Sequence, residues 1–157
     1  MKSARKRGIG FGTTSGVITT LGLMTGMYFT NSSLSTVIGG ILIIAIADAM
    51  SDALGIHIST EAEGKSEKEI WSSTKYTFIA KLIVALIFIP AFFFAPLKIA
   101  VILNILLGFL IIIILSYRIA KSNKKNTKTT IIEHLIISTI VIILSTIIGK
   151  TISFYFN

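Results

Sequence analysis

The sequence predicts an all-α membrane protein, a single domain over residues 1–157 with five transmembrane helices, and three observations predict it. Of the 157 residues 53% are hydrophobic and only 14% charged, too apolar a balance for a water-soluble domain of this size. Apolar runs of about 20 residues, the length that crosses a bilayer, recur along the chain. Basic residues gather at the ends of those runs rather than in one stripe interleaved with aromatics, so the net charge of +8 does not point to nucleic acid. The chain has no cysteine, which excludes disulfides and thiolate metal sites. Any metal is left to oxygen, imidazole or thioether ligands.

The expected spans run roughly from Ile9 to Thr30, Leu34 to Ile58, Tyr76 to Phe94, Leu97 to Tyr117 and Ile131 to Phe154. The fourth and fifth are dense in isoleucine and leucine. The first is the most polar, rich in Gly, Thr and Ser. It follows a basic stretch, as a signal peptide would, but it is long and no A-x-A-like site follows Tyr28, so it is read as a helix. Lys2, Arg5, Lys6 and Arg7 precede the first span. Lys65, Lys68 and Lys75 follow the second, and Arg118, Lys121, Lys124, Lys125 and Lys128 follow the fourth. With five crossings these segments share one side, and the positive-inside rule makes it cytoplasmic, placing the N-terminus inside and the C-terminus outside. No organelle signal is recognisable, so a prokaryotic plasma membrane is the default location. The longest connection, roughly Ser59 to Lys75, carries Glu61, Glu63, Glu67 and Glu69, with Trp71 as an interfacial anchor.

In the first span, Gly8, Gly12 and Gly16 recur every fourth residue and Gly22 and Gly26 repeat the interval, which permits close approach of another helix. That helix can belong to the same protomer or to a second copy across a dimer axis. Thr13, Thr14, Ser15, Thr19, Thr20 and Thr25 suit a wall facing a hydrated path.

The second span carries the chemistry. Asp48 and Asp52 lie four residues apart, hence on one helix face, and a carboxylate in hydrocarbon costs roughly 2.5–3.5 kcal/mol even on the lenient insertion scale. At 1.5 Å per residue Asp48 sits about 15 Å from the Ile58 end and Asp52 about 9 Å from it. Two adjacent acids of low dielectric resist ionising together, whereas a divalent cation favours both ionised, so metal binding would expel a proton. Met50 and His57, with Glu61, form a second stripe and are further candidate metal ligands. Glu61 and Glu63 would gather cations at the cytoplasmic mouth. Lys81, at similar depth on the third span, is the alternative partner of Asp52, and Asp48 could bond a hydroxyl. Glu133 and His134 open the fifth span, where the acid would cap the helix or relay metal. No catalytic triad, phosphate loop or metallohydrolase motif is present, so no enzyme activity is expected.

The stretches GTTSGVITTLGLMTG and GGILIIAIADAMSDALGIHIS resemble the first two helices of the vacuolar iron transporter family, over roughly residues 8–65. The resemblance implies five helices, a homodimer, and exchange of ferrous iron or manganese for protons, with metal as transported substrate and no permanently bound cofactor. The chain departs from the pattern at several points. Gly8 and Ser15 match positions of family aspartates on the first helix, Asp52 that of a metal-binding methionine, and Asp48 that of a glycine. The family's long acidic cytoplasmic domain is replaced by the short loop. An all-oxygen site suits manganese and other hard cations.

Three functions follow. The first is a divalent-metal transporter using Asp48 and Asp52. The second is a proton-coupled exporter of small organic cations, which would want aromatic residues beside the acids, and the second span has none. The third is a non-transporting scaffold whose aspartates set helix packing.

Overall fold

The computed structural model describes residues 2–156, and all the regular structure among them is helical. The helices are α1 (Lys2–Phe29), α2 (Leu34–Ala62), α3 (Glu67–Ile87), the single-turn α4 (Ala91–Phe94), α5 (Leu97–Ser122) and α6 (Thr127–Phe156). Most run past the expected spans, because hydropathy marks only the part of a helix that lipid covers. The predicted long loop after the second span shrinks accordingly: Glu61 falls in the last turn of α2, and Glu67, Glu69 and Trp71 in the first turns of α3.

Three of the long helices end in the same way. Asn31, Gly64 and Lys124 adopt positive φ of 59°, 65° and 53°. The next residue's amide reaches back five positions to close the helix: Ser32 N to Met27 O at 3.1 Å, Lys65 N to Thr60 O at 3.4 Å, and Lys125 N to Ala120 O at 2.9 Å. These closures let α2, α3 and α6 start within a few residues. Ser33 begins α2 by accepting a hydrogen bond from the Thr36 amide at 3.2 Å. Between α3 and α5 the break comes at Pro90, which has no amide to continue a helix. Asn104 of α5, itself buried, donates to the freed Phe88 carbonyl at 2.9 Å.

Four helical stretches are long and apolar enough to cross a membrane: Leu34–Ala62, Glu67–Phe94, Leu97–Ser122 and Thr127–Phe156. The sequence reading expected five, and α1 is the one outside this set. Its place in the bundle explains its composition. It touches α2, α3, α5 and α6, so its surface is covered by neighbouring helices and need not be made of large apolar side chains. Val17, Leu21 and Met24 of α1 pack with Val37 and Ile41 of α2, Val84 and Phe88 of α3, and Ile112 of α5. Isoleucines and leucines such as Ile43, Leu106, Ile113, Ile140 and Ile147 face outwards.

The glycines of α1 are spent inside this protomer. A Cβ on Gly8 would come within 2.5 Å of the Ser73 carbonyl, one on Gly12 would strike the Thr77 carbonyl, and one on Gly16 would meet Lys81 and Val84 at 3.2–3.3 Å. Six residues separate Gly16 from Gly22, about 240° of helical turn, so the second pair serves another face. Gly22 meets Val141 and Ser145 of α6, and Gly26 abuts Ser145 and Gly149. The packing alternative read from the sequence is therefore the one realised. These five glycines face α3 and α6 of the same protomer.

Candidate functional site

Lys81 is the largest fully buried side chain among the described residues. It stands on α3 where Gly16 lets α1 come close, and its ammonium reaches across to α2. The Nζ lies 2.5 Å from Oδ2 of Asp52 and 2.5 Å from Oδ2 of Asp48, and it donates to Oγ of Ser15 at 2.9 Å. Its bond to Asp52 has hydrogen-bond geometry, while Asp48 Oδ2 is an ion-pair partner off the hydrogen-bonding direction. The i, i+4 spacing makes this possible, since one turn of α2 presents both acids to one point on α3.

The three charges are covered unequally. The Lys81 side chain is 2% exposed, that of Asp52 19% and that of Asp48 29%. The lysine is sealed between helices, and the acids keep an open flank. With all three ionised the cluster carries one net negative charge.

The sequence reading named Asp48, Asp52, Ser15 and Lys81, and the structure brings these four together. Lys81 as partner of Asp52 is found, and its simultaneous contact with Asp48 is the addition. Met50 and His57, candidate ligands on a second stripe, are not brought to the aspartates. Two residues turn a helix by about 200°, so Met50 leaves the bundle on another face, 57% exposed. His57 instead places Nδ1 3.0 Å from Oγ1 of Thr74 and its ring edge-on to Trp71, centroids 4.8 Å apart. No group of three or more His, Asp or Glu side chains converges on one point among the described residues.

At the end of the bundle where α1 begins, Glu63 is paired with Arg7 at 3.0 Å and Glu61 is exposed. Glu63 is thus not a free acid awaiting cations. Glu133 is exposed on α6 and joins no cluster. His134 turns inwards and its Nδ1 lies 2.7 Å from Oγ of Ser116 on α5, tying α5 to α6. Among the hydroxyls of α1, Thr14 and Thr19 bond their own helix at Gly10 and Ser15 carbonyls, whereas those of Thr20 and Thr25 are buried without a partner. The His57, Trp71 and Thr74 contact was missed by sequence reasoning. Its only signal was a histidine near the end of the second span and an interfacial tryptophan just before the third.

Compared with protein-family models, with curated proteins and with solved structures, the chain finds no match.

Proposed function

We propose that the protein is an integral membrane transporter of a hard divalent cation, of the manganese or ferrous class, and that it exchanges the cation for protons at Asp48 and Asp52. The observation that carries this reading is the lysine held between two carboxylates inside apolar helices. Intramembrane ionisable groups are expensive and mark ion pathways. The available donors are the carboxylate oxygens and the Ser15 hydroxyl, a set that favours hard cations over soft ones. Lys81 acts as the resident counter-charge in the absence of substrate. An ammonium and a divalent cation about 4 Å apart repel by roughly 8 kcal/mol at an effective dielectric of 20, so the ion enters the carboxylate pair as Lys81 gives up its proton to the hydrated path, and that proton is the one exchanged. The likeness of residues 8–65 to vacuolar iron transporters supports the same cargo class.

A second reading has its own observation. Lys81 finds three oxygen partners within one protomer, as a closed structural ion cluster would. Asparagine keeps the shape of aspartate and removes its charge, so Asp48→Asn and Asp52→Asn separate the two. Manganese flux into proteoliposomes should collapse in both variants while the folded yield is kept, and flux in the parent should drive protons the other way. Parent-like flux in both variants, or a parent that carries neither manganese nor ferrous iron, would sink the transport reading.

A further inference from the structure

On the outer side of α2 and α3, away from the charge cluster, lies a groove of about 520 Å³ lined by Met50, Leu54, His57, Trp71, Lys75 and Phe78. We propose that it binds one anionic phospholipid, its phosphate held by Lys75 and one acyl chain laid along Leu54, Met50 and Phe78.

The groove has a polar end and an apolar end. His57 stands five residues before the end of α2, and Trp71 four residues after the start of α3, so both rings lie about 6–8 Å inside the same end of the bundle. A helical side chain leans towards the helix N-terminus, which carries the Lys75 ammonium back to the level of the Trp71 ring. Moving away from that end, the lining becomes Leu54, Phe78 and Met50, without a charge. A phosphate above an acyl chain has the same order.

Lys75 is the cation that needs an explanation. It is exposed and makes no ion pair or hydrogen bond among the described residues, whereas Arg7 has Glu63 and Lys81 has two aspartates. His57 Nδ1 donates to Thr74 Oγ1, whose own proton goes to the Ile70 carbonyl, so the neutral ring borders the polar end as an acceptor and leaves the anion to Lys75. The charge around them selects the headgroup. Of fifteen basic residues, all but Lys81, Lys98 and Lys150 belong to this end of the bundle, which makes it complementary to a lipid with net negative charge rather than to a zwitterion. Trp71, 63% exposed, is an amphipathic ring at the headgroup level.

Trp71 is also the single tryptophan of the chain, so its fluorescence reports this groove alone. The purified protein, reconstituted in phosphatidylcholine vesicles, is titrated with phosphatidylglycerol brominated on its acyl chains, and separately with phosphatidylcholine brominated in the same way. Quenching by the anionic lipid should reach half-saturation at a mole fraction about fivefold lower, the preference one interfacial lysine confers. Lys75→Gln should remove most of the difference while leaving quenching by brominated phosphatidylcholine unchanged, which shows the variant folded and inserted. Lys75→Arg should restore it. Equal quenching by both lipids in the parent, or a preference undiminished in Lys75→Gln, overturns the proposal. So does Trp71 shielded from both lipids, which would mean that a second copy of the chain covers the groove.

Discussion

Lys81 is tolerated among apolar helices because two carboxylates and a hydroxyl meet its ammonium, and removing any one of them has a foreseeable cost. Lys81→Met leaves Asp48 and Asp52 on adjacent turns of α2 with no counter-charge. Breaking a buried pair from one side costs about 3–5 kcal/mol, because the desolvated partner remains. Asp52→Asn removes one of two acids and leaves Lys81 with Asp48 and Ser15, so its cost should be smaller. The double variant Lys81→Met with Asp52→Asn should be more stable than Lys81→Met alone, since it takes one orphaned charge away. Unfolding midpoints of the three variants in one detergent check this order. If Lys81→Met is as stable as the parent, the cluster is not held together by the charges assigned to it.

At the scale of the helices, close packing of α1 on α3 rests on the missing side chains of Gly8 and Gly12, which face carbonyls of α3 and not flexible groups that could yield. Gly12→Leu should therefore disrupt the fold of one protomer, lowering folded yield, where Gly10→Leu, with open space around it, should be tolerated. A Gly12→Leu protein of parent-like stability would show that α1 and α3 are not in this contact. The elements show what a sequence discloses and what it hides. Apolar runs located α2, α5 and α6, and Asp48, Asp52 and Lys81 stood out because a charge inside such a run is conspicuous. The helix ends were not legible from hydropathy: Glu61 and Glu67 are polar, yet they continue helices that the Gly64 turn interrupts only briefly. Which neighbour fills a glycine face was equally hidden, since the interval between Gly8, Gly12 and Gly16 is the same whether α3 or another molecule lies against it. That Met50 and His57 stand apart from the aspartates was legible from the turn of 100° per residue, which put them on a second stripe, whereas the α3 residues that meet that stripe, Trp71 and Thr74, were not.

For the whole molecule the open question is whether α1 crosses the bilayer with the four more apolar stretches, and the bundle supplies a specific expectation. The start of α1 lies beside the α2–α3 and α5–α6 connections, through Arg7 on Glu63 at 3.0 Å and Lys6 on Ser122 at 3.2 Å. Its far end meets the last turns of α6, where Asn31 donates to Ser153 at 2.8 Å. We expect a helix that joins both ends of such a bundle to cross with the others, its polarity being no obstacle because its neighbours cover it. Five crossings would put Ser3, Ser66 and Asn123 on one side, the cytoplasmic one by the positive-inside rule, and Ser35 on the other. The chain has no cysteine, so a single one introduced at each of these exposed positions can be read without interference. In sealed cells a membrane-impermeant maleimide should label Ser35→Cys, and label Ser3→Cys, Ser66→Cys and Asn123→Cys only after the membrane is opened. Labelling of Ser3→Cys together with Ser35→Cys in sealed cells would leave four crossings and place the start of α1 outside. Because Arg7 is paired with Glu63, that outcome would also require the contacts at the start of α1 to be broken, so one experiment tests the topology and the packing that implies it.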